Sequence, residues 1–214
     1  MIADNINRIK NELPAGVQLL AVSKFRPIEA LQEAYDAGQR LFAESRPQEL
    51  AAKAPALPAD IEWHFIGHLQ TNKLKMVLPY VSMVESVDSL HLLSEINSWG
   101  KKECRVVNVL LEMHVAAEES KQGFHEEEVL DILFRSSDYP FVRFCGLMGM
   151  ATNTDDAEIV RADFTRISLH FDYLRDLFPE LEEFSVLSIG MSSDWRIALE
   201  CGSTEVRIGT AIFA

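Results

Sequence analysis

Short apolar runs alternate with longer stretches whose apolar positions recur at helical spacing, and this alternation continues along the whole chain. The first run, residues 17–23, reads Val-Gln-Leu-Leu-Ala-Val-Ser and predicts a strand. A short helix over residues 2–12 precedes it and is closed by Pro14 and Gly16. After the strand, Pro27 suits a first helical turn, Ile28, Leu31, Ala34 and Tyr35 fall at helical spacing, and Gly38 stops the helix. The same unit then repeats. Further strands are predicted over residues 40–43, 61–66, 81–85, 105–113, 141–148, 184–188 and 205–208. Helices are predicted from residue 47, over 71–78 with a stop at Pro79, over 89–102, from residue 125, over 157–178 and over 194–201.

Eight strands, each but the last followed by a helix, predict an α/β protein with a parallel sheet closed on itself: a single (β/α)8 TIM barrel spanning residues 1–214, with a short N-terminal helix. A doubly wound open sheet is the rival. It carries a glycine fingerprint after its first strand, whereas Ser23-Lys24-Phe25-Arg26 stands in that place here. The alanine- and proline-rich residues 51–59 read as a helix end plus a loop, so no linker divides the chain.

The net charge of −13 argues against a general nucleic-acid binder, which displays basic surface to phosphates. A phosphorylated ligand would need local donors. Cys104, Cys145 and Cys201 lack metal-ligand spacing. Cys104 and Cys145, in or beside apolar runs, are expected to be reduced and mostly buried. No secretory signal and no run of membrane-spanning length is visible, so the expected compartment is the cytoplasm, with no membrane or nucleic-acid partner.

In such a barrel the functional side chains sit at the C-terminal ends of the strands. Those positions hold Lys24, Ser45, Gly67 and His68, Ser86, His114, residues 150–152, residues 188–193, and Gly209 with Thr210. Lys24 ends an apolar strand. Apolar walls would desolvate its amine and favour the neutral form that a Schiff base requires; the plainer reading is a lysine snorkelling out of a strand end. The loops after strands seven and eight are frequent phosphate sites. Here they read Ser188-Ile189-Gly190-Met191-Ser192-Ser193-Asp194 and Arg207-Ile208-Gly209-Thr210, offering hydroxyls, a helix start and a glycine that admits close approach; ordinary capping is the alternative. Arg207 alternates with Val206 and Ile208 and so faces the other side of its strand, toward either a ligand or an ion-pair partner such as Glu205 or Glu200. His64 and His68 lie four apart, but on a strand and its turn rather than on a helix, so no metal site is expected. Glu126-Glu127-Glu128 reads as the solvated first turn of a helix.

Several segments resemble the pyridoxal phosphate homeostasis proteins, single-domain relatives of the barrel half of alanine racemase. They are Leu19 to Lys24, Trp63 to Lys73, Glu119 to Gly123, Cys145 to Met150, and Leu187 to Phe213, in the family's order. The resemblance implies that Lys24 carries pyridoxal 5'-phosphate as a Schiff base. It implies that Ser188, Met191, Ser192, Gly209 and Thr210 lie around the phosphate, with Arg207 near the pyridine nitrogen, and it adds Ser45 and His68 to the cofactor site. Family members buffer and deliver this aldehyde without an assigned reaction, so the chain is expected to be a monomeric carrier whose partners are the cofactor and pyridoxal-dependent apo-enzymes. Two positions depart from the pattern: Ser45 stands where the family has asparagine after the second strand, and His114 where it has asparagine at the end of the fifth. The chain also starts late and stops at Ala214 relative to the family, which implies a more open groove near the termini.

The alternative is a pyridoxal-dependent racemase acting on a free amino acid. Racemisation in this barrel type needs a second acid/base, usually a tyrosine. Tyr35, Tyr80, Tyr139 and Tyr173 are all predicted away from the barrel mouth, which favours the carrier. A cofactor-free Schiff-base aldolase would need an acid/base partner beside Lys24, and none is evident.

Overall fold

The computed structural model describes residues 1–116 and 122–214. Eight parallel strands form a closed sheet: β1 (Gln18–Val22), β2 (Leu41–Glu44), β3 (Glu62–Phe65), β4 (Met83–Val87), β5 (Val107–Met113), β6 (Val142–Gly149), β7 (Val186–Ser188) and β8 (Glu205–Ile208). Helices α2 (Ile28–Asp36), α3 (Pro47–Lys53), α4 (Leu74–Val77), α5 (Leu90–Glu103), α6 (Glu126–Phe134), α7 (Ala157–Leu177) and α8 (Trp195–Glu200) follow successive strands, and α1 (Ile2–Glu12) precedes the barrel. This is the (β/α)8 architecture read from the periodicity. The last strand also has its helix, α9 (Thr210–Phe213), which four residues were too few to announce. No helix among the described residues is long and apolar enough to cross a membrane.

Local chemistry sets the helix starts. Ser89 caps α5 by accepting from the Leu92 amide, and Asp156 caps α7 by accepting from that of Glu158. Glu128 reaches back to the His125 amide at 2.8 Å, so one member of the acidic run closes a capping box. At the other end of α5, Cys104 adopts a left-handed conformation (φ 51°) as the C-cap. Its side chain is therefore exposed, a correction to the expected buried thiol; Cys145 is buried as expected.

Strand alternation sends one set of side chains outward against the helices and the other into the barrel. The outer set, including Phe42, Trp63, Phe65, Val109, Leu147 and Ile208, joins Leu31, Leu93 and Phe164 of the helices in one continuous core. Inside the barrel the filling is divided. Leu20, Val22 and Ala43 form an apolar wall on the β1–β2 side, and Leu110, Cys145 and Met148 form another on the β5–β6 side. Between these walls, on β3–β4 and on β7–β8, the inward residues are His64, Glu85, Ser188, Glu205 and Arg207, all buried.

This polar band is internally bonded. His64 Nδ1 lies 2.7 Å from Glu85 Oε1 and 3.6 Å from Glu205 Oε2. Ser188 Oγ donates to Glu85 Oε2 at 2.7 Å and accepts from Arg207 at 2.8 Å. Arg207 also donates to the carbonyls of Ser188 and Gly149. Burial disfavours the imidazolium of His64, but Glu205 and Glu85 outweigh it and raise its pKa. For Glu85, burial is outweighed by His64, Arg207 and Ser188, so its pKa is lowered. Burial and the neighbouring Glu85 charge push Glu205 up to about 7. Ligand atoms of His64, Glu85 and Glu205 lie within 4.8 Å of one another; hydrogen bonds join His64, Glu85 and Ser188, while Glu205 Oε1 is buried without a hydrogen-bond partner among the described residues. Glu112, at the end of β5, is likewise pushed up to about 7 by burial and by Asp88.

Two measurable consequences follow from this packing. Gly146 has φ +149°, and a Cβ there would lie 1.8 Å from the Val186 carbonyl oxygen, opposite the register shift between β5 and β6. Gly146→Ala is expected to destabilise the fold by about 3 kcal/mol or more, read as a lowered denaturation midpoint. For Glu112, the folded-state pKa lies above the unfolded one, so its stabilising contribution is full below the unfolded value of 4.5 and is lost as pH rises to about 7. Glu112→Gln is therefore expected to match the parent in stability near pH 4.5 and to exceed it by about 1–3 kcal/mol above pH 7, in denaturant titrations across that range.

Candidate functional site

The C-terminal ends of the strands open into a cavity of about 850 Å³. The turn after β1 supplies Lys24, Phe25 and Arg26 to its wall, and Val22 lies below them. The ends of β2 and β3 supply Ser45 and Ile66, and the β6 end supplies Met148 and Met150. The loop after β7 contributes Met191, Ser192 and Ser193, and β8 with its exit contributes Arg207, Gly209 and Thr210. Among the described residues the lining therefore holds three cations, Lys24, Arg26 and Arg207, and no carboxylate, although the chain as a whole carries a net charge of −13.

Local geometry explains why these loops can meet. Gly190 has φ +93°, and a Cβ on it would come within 2.6 Å of Ala198 Cβ, so the turn into α8 closes only around glycine. Asp194 Oδ1 accepts from the Met191 amide and holds that turn, rather than capping α8 as the sequence suggested. Ser192 Oγ accepts from the Gly209 amide at 3.3 Å, which ties the β7 loop to the β8 exit. A Cβ at Gly209 would lie 3.0 Å from the Val22 carbonyl oxygen, so the absence of a side chain lets this exit pack on the end of β1. Ser45 is approached more closely still: a Cβ at Gly67 would be 2.1 Å from its carbonyl oxygen.

The cavity also presents unused donors. Among the described residues the backbone N–H groups of Ser192, Ser193, Thr210 and Ala211 have no protein acceptor. Two of them belong to the loop after β7 and two to the start of α9; Ser192, Ser193 and Thr210 line the cavity, and Ala211 follows Thr210 on α9. Lys24 is exposed at the mouth, and among the described residues its ammonium has no hydrogen-bond or ion-pair partner. The sequence placed it among apolar walls; those walls, Val22, Ile66 and Met148, lie in the same cavity but do not enclose it.

Seven of the nine residues expected at the site line this cavity: Lys24, Ser45, Met191, Ser192, Arg207, Gly209 and Thr210. Ser188 does not. It is fully buried in the polar band, where its hydroxyl holds Arg207. His68 also lies elsewhere, on a separate depression with Asp88 and His91, its Nδ1 2.9 Å from Asp88 Oδ2. The turn at residues 67–70 carries it away from the barrel axis. His114 lines a small cleft with Glu112 and Met150, and its ring meets His125 edge-on at 5.6 Å. Residues 119–121 of the segment resembling the family lie outside the described residues. Arg207 takes neither suggested ion-pair partner: its donors go to Ser188 and Gly149, and Glu200 pairs with Arg161 instead. The buried acids Glu85 and Glu112 were not singled out from sequence, and Glu205 entered only as a possible partner of Arg207, although a carboxylate inside an apolar strand, as in Val-Leu-Leu-Glu-Met over residues 109–113, was the available signal.

The alanine racemase N-terminal domain family matches residues 1–214. The pyridoxal phosphate homeostasis protein of Vibrio alginolyticus is 40% identical over 205 residues, covering 94% of this chain and 87% of that protein. Its Escherichia coli counterpart is 34% identical over 228 residues, covering 99% and 95%. Among solved structures, PipY of Synechococcus elongatus superposes with a TM-score of 0.95 without pyridoxal phosphate and 0.91 with it bound, at 34% identity and over 100% of both chains. Alanine racemase of Clostridium difficile, at 14% identity and a TM-score of 0.78 over 59% of its length, shares the fold. Matched along nearly its whole length at these identities, the chain belongs to the pyridoxal phosphate homeostasis protein family, built on the alanine racemase N-terminal barrel.

Proposed function

We propose that this protein binds pyridoxal 5'-phosphate reversibly in the cavity at the barrel mouth and serves vitamin B6 homeostasis, tethering the cofactor on Lys24 and releasing it to pyridoxal-dependent apo-enzymes. The observation that carries this reading is the make-up of the cavity: among the described residues it holds three cations, one of them the unpaired Lys24 amine, no carboxylate, and the unused backbone donors of Ser192, Ser193 and Thr210. That set fits the ligand. The family membership and the pyridoxal phosphate bound to PipY support the same reading.

When bound, the cofactor supplies an aldehyde that condenses with amines and a phosphate that needs donors. Lys24 Nζ offers the amine, and its exposure leaves it accessible to an incoming aldehyde. The Ser192, Ser193, Thr210 and Ala211 amides, with the Ser192 and Thr210 hydroxyls, provide the donors for an oxyanion. Val22, Ile66 and Met148 offer apolar surface for a ring, and Ser45 a hydroxyl. Met191 covers the loop side of the cavity, and Ser188 acts through Arg207. His68 lies outside the cavity wall, beside Asp88. Arg207 is a permanent cation, held by two backbone carbonyls and a hydroxyl, so it cannot give a proton to a ring nitrogen beside it. An unprotonated ring withdraws electrons weakly, which favours storage over carbanion chemistry.

The alternative is racemisation of a free amino acid, which needs a second acid/base. None of the four tyrosines lines the cavity: Tyr35 donates to Asp60, and Tyr173 lies on α7 beside His170. We read the protein as a cytoplasmic monomer acting without nucleic acid or membrane; the net charge of −13 supports the absence of a nucleic-acid partner.

Purified protein given pyridoxal phosphate is expected to show the visible absorption of a lysine-linked cofactor, and Lys24→Ala to lose it. Rapid solvent-deuterium exchange at the α-carbon of added amino acids would overturn the carrier reading in favour of the enzyme. Gly209→Val, which fills the gap against Val22, is expected to weaken binding of pyridoxal phosphate about tenfold or more while leaving unphosphorylated pyridoxal nearly unchanged, in parallel spectral titrations.

A further inference from the structure

Lys53 is the last residue of α3, and its ammonium is buried (6% exposed) outside the cavity. A buried lysine is costly unless every N–H is used. Here all three are. Nζ donates to Glu44 Oε1 at 2.6 Å, to Glu49 Oε2 at 2.8 Å and to the Ser23 carbonyl oxygen at 2.9 Å. Glu49 Oε2 accepts in addition from the Phe25 amide at 2.9 Å, and Ser23 Oγ lies 2.7 Å from Glu44 Oε1.

The groups held on the β1 exit belong to the two peptides that flank Lys24: the Ser23 carbonyl accepts from Lys53, and the Phe25 amide donates to Glu49. The Ser23 carbonyl belongs to the peptide on the N-terminal side of Lys24 and the Phe25 amide to the peptide on its C-terminal side. Lys53 grips the first directly and the second through Glu49, so one ion trio fixes the backbone on both sides of the Lys24 Cα. The turn needs such a restraint, because Phe25 sits at φ +64°, a left-handed conformation that is strained for a non-glycine residue. The trio also joins three elements, the end of β2 (Glu44), α3 (Glu49 and Lys53) and the exit of β1.

We propose that Lys53 is a positioning residue for Lys24: with Glu44 and Glu49 it holds the β1 exit turn so that the Lys24 amine stands free in the cavity, aimed at an incoming aldehyde. This rests on the reading of Lys24 as the point of attachment. The trio does not touch the donors of the loops after β7 and β8, so it should govern covalent attachment and not retention of the phosphate.

Two variants test this. Lys53→Met with Glu44→Gln removes the cation without leaving an unpaired buried carboxylate, and Glu49→Ala releases the Phe25 amide from a half-buried helix position. Each is measured for the rate of covalent attachment of pyridoxal phosphate by stopped-flow absorbance. Each is also measured for affinity toward pyridoxine 5'-phosphate, which keeps the phosphate and ring but has an alcohol in place of the aldehyde. In both variants attachment is expected to slow about tenfold or more while pyridoxine 5'-phosphate affinity stays within about twofold of the parent. Should the double variant not fold, Glu49→Ala carries the test alone. Attachment within about twofold of the parent in a folded variant, or an equal loss of both readouts, would overturn the proposal. Lys24→Ala run alongside separates the two readings: if the absorption band survives in it, the attachment point itself is wrong and the positioning role falls with it.

Discussion

Everything at the mouth of this barrel depends on the pairing of β8 with β1. That pairing sets Leu20 beside Arg207 and Ala21 beside Ile208, and it brings residues 22–26 against residues 207–210. Without it Lys24 and the donor-bearing loops would be at opposite ends of an open sheet. The constraint is steric as well as hydrogen-bonded, because the exit of β8 fits against Val22 only through glycine. The closing contact of the fold is thus also the contact that assembles the cavity.

The barrel was legible because its signal is redundant. Eight repeats of an apolar run followed by an amphipathic stretch survive errors of a few residues at any boundary, such as the shortening of the fifth strand to Val107–Met113. The loops after β7 and β8 were legible for a local reason, the concentration of glycine and hydroxyl residues where a parallel barrel presents its functional edge. What did not show was the third dimension of single side chains. His68 follows an inward-facing strand by only three residues, yet the turn carries it outward to Asp88. Cys104 follows a helix whose C-cap turns it to solvent. The ion trio around Lys53 draws on residues 23, 25, 44, 49 and 53, and no spacing rule links a strand exit to the end of the next helix.

Charge is distributed on two scales. The chain is strongly acidic overall, and its surface field repels anions, but among the described residues the cavity wall has only cations and neutral groups. Beneath it, the acids that accompany Arg207 are placed out of reach of solvent: Glu85 bonded to His64 and Ser188, and Glu205 held partly protonated by burial near neutral pH. The arginine is therefore compensated from inside the barrel, while its outer side remains available to the cavity.

The polar band has a bearing on how the chain folds. Glu85 and Ser188 are 103 positions apart, and His64 meets Glu205 across the same interior. Glu85 Oε2 lacks its hydrogen-bond donor until Ser188 of β7 arrives, and His64 lacks its second carboxylate neighbour until Glu205 of β8 does, so drying the interior earlier leaves buried polar groups unpaired. A half-barrel with a dry interior is thus a high-energy species. Dehydration of the interior and docking of the last two strands must coincide, which makes this closure a single cooperative event rather than the stepwise addition of repeats.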